Sequence, residues 1–187
     1  MSDLTLIKAV ARKQGFARRK IAHEQRKVMT AGLLSSILSD YKGVPLAGYM
    51  PIRTEIDPLP AMADAAVHGP VGVPVILGES RPLKFSRWAP DIPLRQGPFG
   101  AQVPAQDNFF EPEIVIVPLV AFTRDGGRLG YGGGFYDRTL EALRATRPTL
   151  AIGFAYDAQC ADDLPLEPTD QPLDMIVTDT QVIDIPL

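Results

Sequence analysis

The stretch Arg128-Leu-Gly-Tyr-Gly-Gly-Gly-Phe-Tyr-Asp137-Arg138 constrains this chain more than any other. It packs four glycines, two flanking arginines and one carboxylate into eleven residues. An apolar, strand-like run at 114–122 precedes it, and a helix-like run at 135–143 follows. A strand that turns through glycines into a helix is the local unit of a layered α/β fold. Glycine lets backbone N–H groups crowd an anion, and a helix N-terminus adds positive dipole character. The segment reads as a phosphate cradle. Asp137 stands at its exit, where a divalent cation bridging phosphates could be held.

The cradle is not of either common type. No Gly-Lys-Ser/Thr follows it, and the glycine spacing is not that of a dinucleotide fingerprint. The bland alternatives are a glycine-rich packing turn, and for Asp137 a first-turn carboxylate that merely complements the helix dipole. Four glycines held between Arg128 and Asp137/Arg138 favour the phosphate reading.

Helical apolar spacing at Ile7, Val10, Ala11, Gln14, Ala17 and Ile21 predicts a helix over 4–23, weakened by Gly15, with Gln14 the polar exception. Further helices are expected at 24–39, 59–67, 135–145 and 158–163. Strands are expected at 45–50, 71–77, 83–88, 114–122, 149–155 and 174–178, with a final edge strand at 181–185. Pro118 suggests a strand end or bulge within 114–122. Residues 89–112, rich in Pro, Gly and Gln, read as a long surface connection. The alternation predicts a three-layer α/β/α sandwich with a mainly parallel, Rossmann-like sheet in one domain, 1–187. Ligands of such sheets sit beyond the carboxyl ends of the strands.

No apolar run approaches the roughly 20 residues that span a bilayer. One cysteine, Cys160, excludes an internal disulfide framework, and two histidines, His23 and His68, cannot complete a Cys/His zinc cluster. A reducing cytoplasm is the expected compartment. Residues 1–27 hold eight basic against two acidic side chains, a net +6, so the chain total of −3 leaves −9 on the other 160 residues. Lys8, Arg12 and Arg19 fall within roughly 40° of one another on a helix and form one basic stripe. A solvated charged face is the usual meaning of such a stripe, and a polyphosphate would give it a purpose.

Glu55, in the turn Tyr49-Met-Pro-Ile-Arg-Thr-Glu55-Ile-Asp57, could accept hydrogen bonds from the N–H edge of a heterocycle. Taken alone, an exposed Glu55 and a turn-forming Asp57 are the commoner meaning. Trp88 suits either ligand stacking or, more commonly, the core or its rim. Cys160 reads as a packing residue.

In order along the chain, Lys8-Ala-Val-Ala-Arg12, Tyr49-Met-Pro with Glu55, Pro82-Leu-Lys-Phe85 with Trp88, Gly97-Pro-Phe-Gly100 with Pro104, Val117-Pro-Leu-Val-Ala-Phe122 and 128–138 together resemble the 5-formyltetrahydrofolate cyclo-ligase (5,10-methenyltetrahydrofolate synthetase) family. The resemblance implies an enzyme that uses ATP and Mg²⁺ to convert 5-formyltetrahydrofolate to 5,10-methenyltetrahydrofolate, releasing ADP and phosphate. It implies ATP binding by Lys8, Arg12, Arg128, Leu129, Gly130, Tyr131, Gly132, Gly133, Gly134, Phe135 and Tyr136. Lys8, Arg12 and Arg128 would neutralise the transferring phosphoryl group, and a basic helical arm, 1–40, would contribute to that site. Met50, Glu55, Tyr131, Gly132, Gly133, Gly134 and Phe135 would meet the folate, and Asp137 with Asp170 would ligate magnesium. Phe135 stands where members often have tyrosine, and Thr169 where many have histidine. A monomer with no nucleic-acid or membrane partner is expected. A nucleic-acid module using the basic arm is the rival of a different class, disfavoured by the acidic body.

Overall fold

The computed structural model describes residues 3–186, so the outermost ends of the 1–187 expectation lie outside it. The chain opens with α1 (Asp3–Gln25) and α2 (Gly32–Leu38), then β1 (Leu46–Ala47), α3 (Leu59–Ala66), β2 (Val71–Val75) and β3 (Lys84–Arg87). The hairpin β4 (Leu94–Gln96) and β5 (Gln102–Pro104) follows, then β6 (Phe109–Phe110), β7 (Ile114–Pro118), β8 (Ala121–Phe122) and β9 (Arg128–Leu129). The last elements are α4 (Phe135–Arg144), β10 (Leu150–Ala155), β11 (Met175–Thr178) and β12 (Val182–Asp184). One sheet runs in the order β12-β11-β10-β7-β1-β2-β3-β6. Its central pairings, from β11 to β2, are parallel, and the outer pairings at both edges are antiparallel.

Strand alternation builds the three layers. Ile114 and Ile116 of β7 pack with Leu34 and Leu38 of α2 and with Ala61 and Met62 of α3. Val115 and Val117 face the other way, toward Leu140 and Leu143 of α4. Trp88 is buried in the first of these cores, which assigns it to packing. Cys160 is a free thiol packed against the second.

Four expectations need correction. The helix placed at 24–39 begins only at Gly32, because α1 carries on to Gln25 and 26–31 breaks the run. The strand placed at 114–122 is two strands: Pro118 has no N–H for the ladder, and after it the chain leaves the main sheet to pair β8 with β9. The connection at 89–112 holds a hairpin and an edge strand. The helix placed at 158–163 is a single 3₁₀ turn, Asp157–Gln159.

In α1 the apolar positions that predicted the helix are not the ones it buries. Ile7, Val10 and Ile21 are 54%, 58% and 55% exposed, whereas Lys8 and Arg19 are 8% and 1% exposed. The basic stripe lies on the docking face because the surface beneath it offers carboxylates and carbonyls as well as apolar side chains, the latter meeting the small Ala11, Gly15 and Ala22. Paired charges there outweigh the apolar stripe's preference for burial. Gly15 lies on this inner face, where an added Cβ would stand 2.8 Å from the Val120 carbonyl oxygen. Gly15→Ala should therefore lower the melting temperature, although alanine is favoured in a helix interior by about 1 kcal/mol. A thermal melt that rises instead would show that α1 docks less tightly than this contact implies.

Candidate functional site

Chain direction reverses beside β1. From β1 the chain moves out through β2 and β3, and from β7 it moves the other way through β10 and β11. The carboxyl ends of β1 and β7 therefore border a crevice, the usual ligand position in such sheets. A cavity of about 410 Å³ lies there. It is lined by the turn after β1 (Tyr49, Met50, Ile52, Arg53, Glu55), the whole run Arg128 to Asp137, Lys8 and Arg12 of α1, and Asp170. All of the residues singled out for the site thus meet at one cavity, although they come from four separate stretches of sequence.

The glycine loop is shaped by positive-φ backbone. Gly132 has φ +99° and Gly134, the residue preceding α4, has φ +64°. These conformations are routine for glycine and costly for residues with a Cβ. Arginines hold the loop from both sides. Arg12 donates from Nε to the Gly130 carbonyl at 2.9 Å, and Arg138 donates to the Gly133 carbonyl at 2.6 Å with its guanidinium over the Phe135 ring. Leu129 is buried in a small core with Ala121 and Leu164, so its side chain anchors the loop.

Charge is concentrated at one end of the cavity. Arg128 donates to Asp137 Oδ1 at 2.5 Å, and the same oxygen accepts from the Gln171 N–H at 2.9 Å. The Arg128 Nε is buried with no partner among the described residues. Burial pushes the Arg128 guanidinium down from its ordinary value, while Asp137 and Asp170 pull it back. Lys8 Nζ sits 2.6 Å from Glu167 Oε2 and 3.0 Å from Asp170 Oδ2. Desolvation would lower the Lys8 ammonium, but its bonds to Glu167 and Asp170 outweigh that and hold it above the usual lysine value. Lys8 and Arg128 are thus each paired with a carboxylate that could meet a metal, whereas Arg12 is held by the Gly130 carbonyl.

Asp137 and Asp170 each commit one named oxygen to these pairs. Hard carboxylate oxygens on two residues at one cavity end fit Mg²⁺, which is commonly held by one or two carboxylates together with substrate phosphates. Among the described residues no group of three or more His, Cys, Asp or Glu side chains is arranged to hold a metal by itself.

At the other wall Glu55 is buried and accepts from the Ile52 N–H at 2.8 Å. Burial raises its carboxyl above the usual range, while the Ile52 N–H, Arg19, Tyr131 and Arg53 draw it back. Tyr49 fixes this turn by donating from its hydroxyl to the Ile56 carbonyl at 2.7 Å. The expectation of an exposed Glu55 from the local sequence is overturned; the burial comes from long-range packing.

Several participants escaped sequence reasoning. Glu167 pairs with Lys8, and nothing in its neighbourhood announced a partner 159 positions away. Pro98, Phe99 and Val103 of the hairpin also line the cavity. Arg19 showed itself only as part of the basic stripe, yet it is the largest of the fully buried side chains. No helix among the described residues is long and apolar enough to cross a membrane.

Known proteins resemble the chain in both sequence and shape. The sequence profile of the 5-formyltetrahydrofolate cyclo-ligase family matches residues 8–179. A Haemophilus influenzae 5-formyltetrahydrofolate cyclo-ligase is 42% identical over 96 residues, 49% of this chain and 51% of that protein. The chain thus spans about half the length of that relative. A Mycolicibacterium smegmatis 5-formyltetrahydrofolate cyclo-ligase is 30% identical over 73% of this chain and 74% of its own. Among solved structures, the Aquifex aeolicus 5,10-methenyltetrahydrofolate synthetase superposes with a TM-score of 0.78 at 28% identity, covering 96% of this chain and 93% of that one. The Mycoplasma pneumoniae 5,10-methenyltetrahydrofolate synthetase gives 0.72 at 26% identity, covering 92% and 98%. A match that runs from the Lys8 arm past Asp170, on the same fold, takes in the entire cavity wall: the chain belongs to the 5-formyltetrahydrofolate cyclo-ligase family.

Proposed function

We propose that this protein converts 5-formyltetrahydrofolate to 5,10-methenyltetrahydrofolate with consumption of ATP in the presence of Mg²⁺. The observation that carries the reading is one cavity lined by two unlike sets of groups. One set gathers Lys8, Arg12, Arg128, Asp137 and Asp170 around a glycine loop, and the other presents the buried Glu55 carboxylate. A polyphosphate suits the first set. The N–H edge of a reduced pterin suits the second, since a charge-assisted pair there is strong.

The chemistry needs no protein nucleophile. The formyl oxygen attacks the γ-phosphorus and ADP leaves. The N10 nitrogen then attacks the formyl carbon and loses its proton, and phosphate departs as the ring closes. Catalysis of that kind is positioning plus charge stabilisation. Backbone N–H groups of 132–134 and the N-terminus of α4 face the phosphates, and Arg12 holds the loop open to them. Arg128 lines the cavity and brings its guanidinium charge to the phosphates. Lys8 and Arg128 would meet the phosphates, and Asp170 and Asp137, which pair with them in the structure, would hold Mg²⁺. Bound there, Mg²⁺ would neutralise charge on the transferring phosphoryl group. Met50 and Tyr131 to Phe135 border the folate.

The test is to incubate the protein with 5-formyltetrahydrofolate and Mg-ATP and to follow methenyl absorbance and ADP together. Equimolar appearance of both is expected, and folate-independent ADP or no methenyl product would overturn the reading. Removing Mg²⁺ with a chelator should stop turnover, and added Mg²⁺ should restore it. Because the two carboxylates are paired with Lys8 and Arg128, calorimetry should find Mg²⁺ alone binding at least about tenfold more weakly than Mg²⁺ with a non-hydrolysable ATP analogue.

A further inference from the structure

Arg19 is almost wholly buried, and a buried guanidinium must be satisfied on all sides. It donates from Nε to Thr54 Oγ1 at 3.1 Å, from Nη1 to the Leu119 carbonyl at 3.4 Å and from Nη2 to the Tyr131 hydroxyl at 2.7 Å. Its Nη1 lies 3.9 Å from Glu55 Oε1. Its guanidinium carbon stands 5.1 Å from the Phe16 ring centre and 5.4 Å from that of Tyr131. The two rings meet edge to face at 5.3 Å.

Arg19 thus joins α1, the turn after β1, the link between β7 and β8, and the glycine loop. A plain structural staple would explain that much. The choice of partners says more. Glu55 and Tyr131 both line the cavity and Arg19 does not, so it grips the wall from behind. Because Arg19 donates to the tyrosine oxygen, the hydroxyl proton of Tyr131 is left for another acceptor, and the Glu55 carboxylate lies against the same guanidinium. Lys8, Arg12 and Arg19 share one helix stripe, but they meet different partners: the Glu167 and Asp170 carboxylates, the Gly130 carbonyl, and the Tyr131 hydroxyl with Glu55 beside it.

We propose that Arg19 is a positioning residue for the acceptor: it fixes the Tyr131 hydroxyl and the Glu55 carboxylate as one hydrogen-bonding edge for the N–H-bearing heterocycle. The inference rests on the folate reading above and deepens it. Glu55 is faced by Arg19 from α1, Arg53 from its own turn, Tyr131 and Tyr136 from the glycine loop and α4, and Tyr49 from the end of β1. The two arginines are the cations of that set. Arg19 is the buried one, so of the two cations it does more to favour the ionised carboxylate, second to the Ile52 N–H.

The experiment measures kcat and KM for each substrate against pH in the wild-type protein and in Arg19→Met, Arg19→Lys and Tyr131→Phe. Arg19→Met should raise the folate KM at least about tenfold, leave the ATP KM within about threefold, and move the acid limb of kcat/KM upward by about one pH unit or more. Arg19→Lys keeps the charge without the planar fork, so it should restore the acid limb but not the folate KM. Tyr131→Phe should raise the folate KM and move the limb upward by less than Arg19→Met does, because Arg19 draws the Glu55 carboxyl down more than the Tyr131 hydroxyl does. An unmoved acid limb in Arg19→Met, or equal rises in both KM values, would reduce Arg19 to a staple. If Arg19→Met does not fold, a wild-type folate KM in Arg19→Lys overturns the proposal instead. Methenyl product from the wild type is the control: its absence removes the folate reading itself, whereas its presence with unaffected variants removes only the role of Arg19.

Discussion

Asp137→Ala is expected to abolish turnover, with kcat/KM falling by about 10³-fold or more, while the protein stays folded. Two losses combine. The alanine variant has no oxygen for Mg²⁺, and it leaves the buried Arg128 guanidinium without its 2.5 Å partner. The second loss also costs stability, about 1–3 kcal/mol for an unsatisfied buried donor. Asp137→Asn separates the two. An asparagine oxygen still accepts from Arg128 Nη2 and from the Gln171 N–H, so the melting temperature should recover most of the way. Activity should not recover, because a neutral amide is a poor magnesium ligand. An active asparagine variant would remove Asp137 from the metal and leave it a structural anchor for Arg128.

The second large effect is expected at Gly132. Gly132→Ala should lower kcat/KM for ATP by about 100-fold, through misplacement of the loop. Its φ of +99° is strained for any residue with a Cβ, and the added methyl would stand 3.1 Å from the Arg12 guanidinium carbon. Backbone in such regions costs about 1–3 kcal/mol, which the loop would shed by rearranging. Gly130, two residues earlier, has no positive φ and open space around its Cβ position. Gly130→Ala should therefore be much milder, with a loss below about tenfold. Steady-state kinetics on the two variants checks the contrast, and equal effects would mean that loop flexibility rather than backbone shape matters.

The pH behaviour follows from Glu55. Its folded-state carboxyl is raised by burial, so the native protein holds that proton more tightly than the unfolded chain does. Stability linked to Glu55 falls as pH climbs from the unfolded value to the folded one, and the ionised form is kept at a cost. Activity has the opposite slope there, because the ionised carboxylate is the form that accepts N–H groups. A buried carboxylate of this kind, facing a cavity, is the usual signature of a site rather than of a core.

Much of the fold was legible in the order of apolar runs. Residues 71–77, 149–155 and 174–178 became β2, β10 and β11 within a few positions, and 59–67 and 135–145 became α3 and α4. Such runs are read well because strand and helix periodicities are local properties. Boundaries at 24–39 and 158–163 were misjudged because the apolar content of both runs fits more than one short conformation.

The sequence by itself determined that 128–138 must be a glycine-rich turn ahead of a helix, with cations and one carboxylate around it, since those properties reside in neighbouring residues. It left the four glycines indistinguishable, and it did not say which face of α1 docks. Tertiary structure decided both. Helical periodicity tells which residues share a face but not what lies opposite, and here the opposite surface offers Glu167, Asp170, Glu55 and the Leu119 carbonyl. Pairing those groups with Lys8 and Arg19 outweighs burying Ile7, Val10 and Ile21. The cost of leaving a desolvated charge unpaired exceeds the cost of leaving an isoleucine in water.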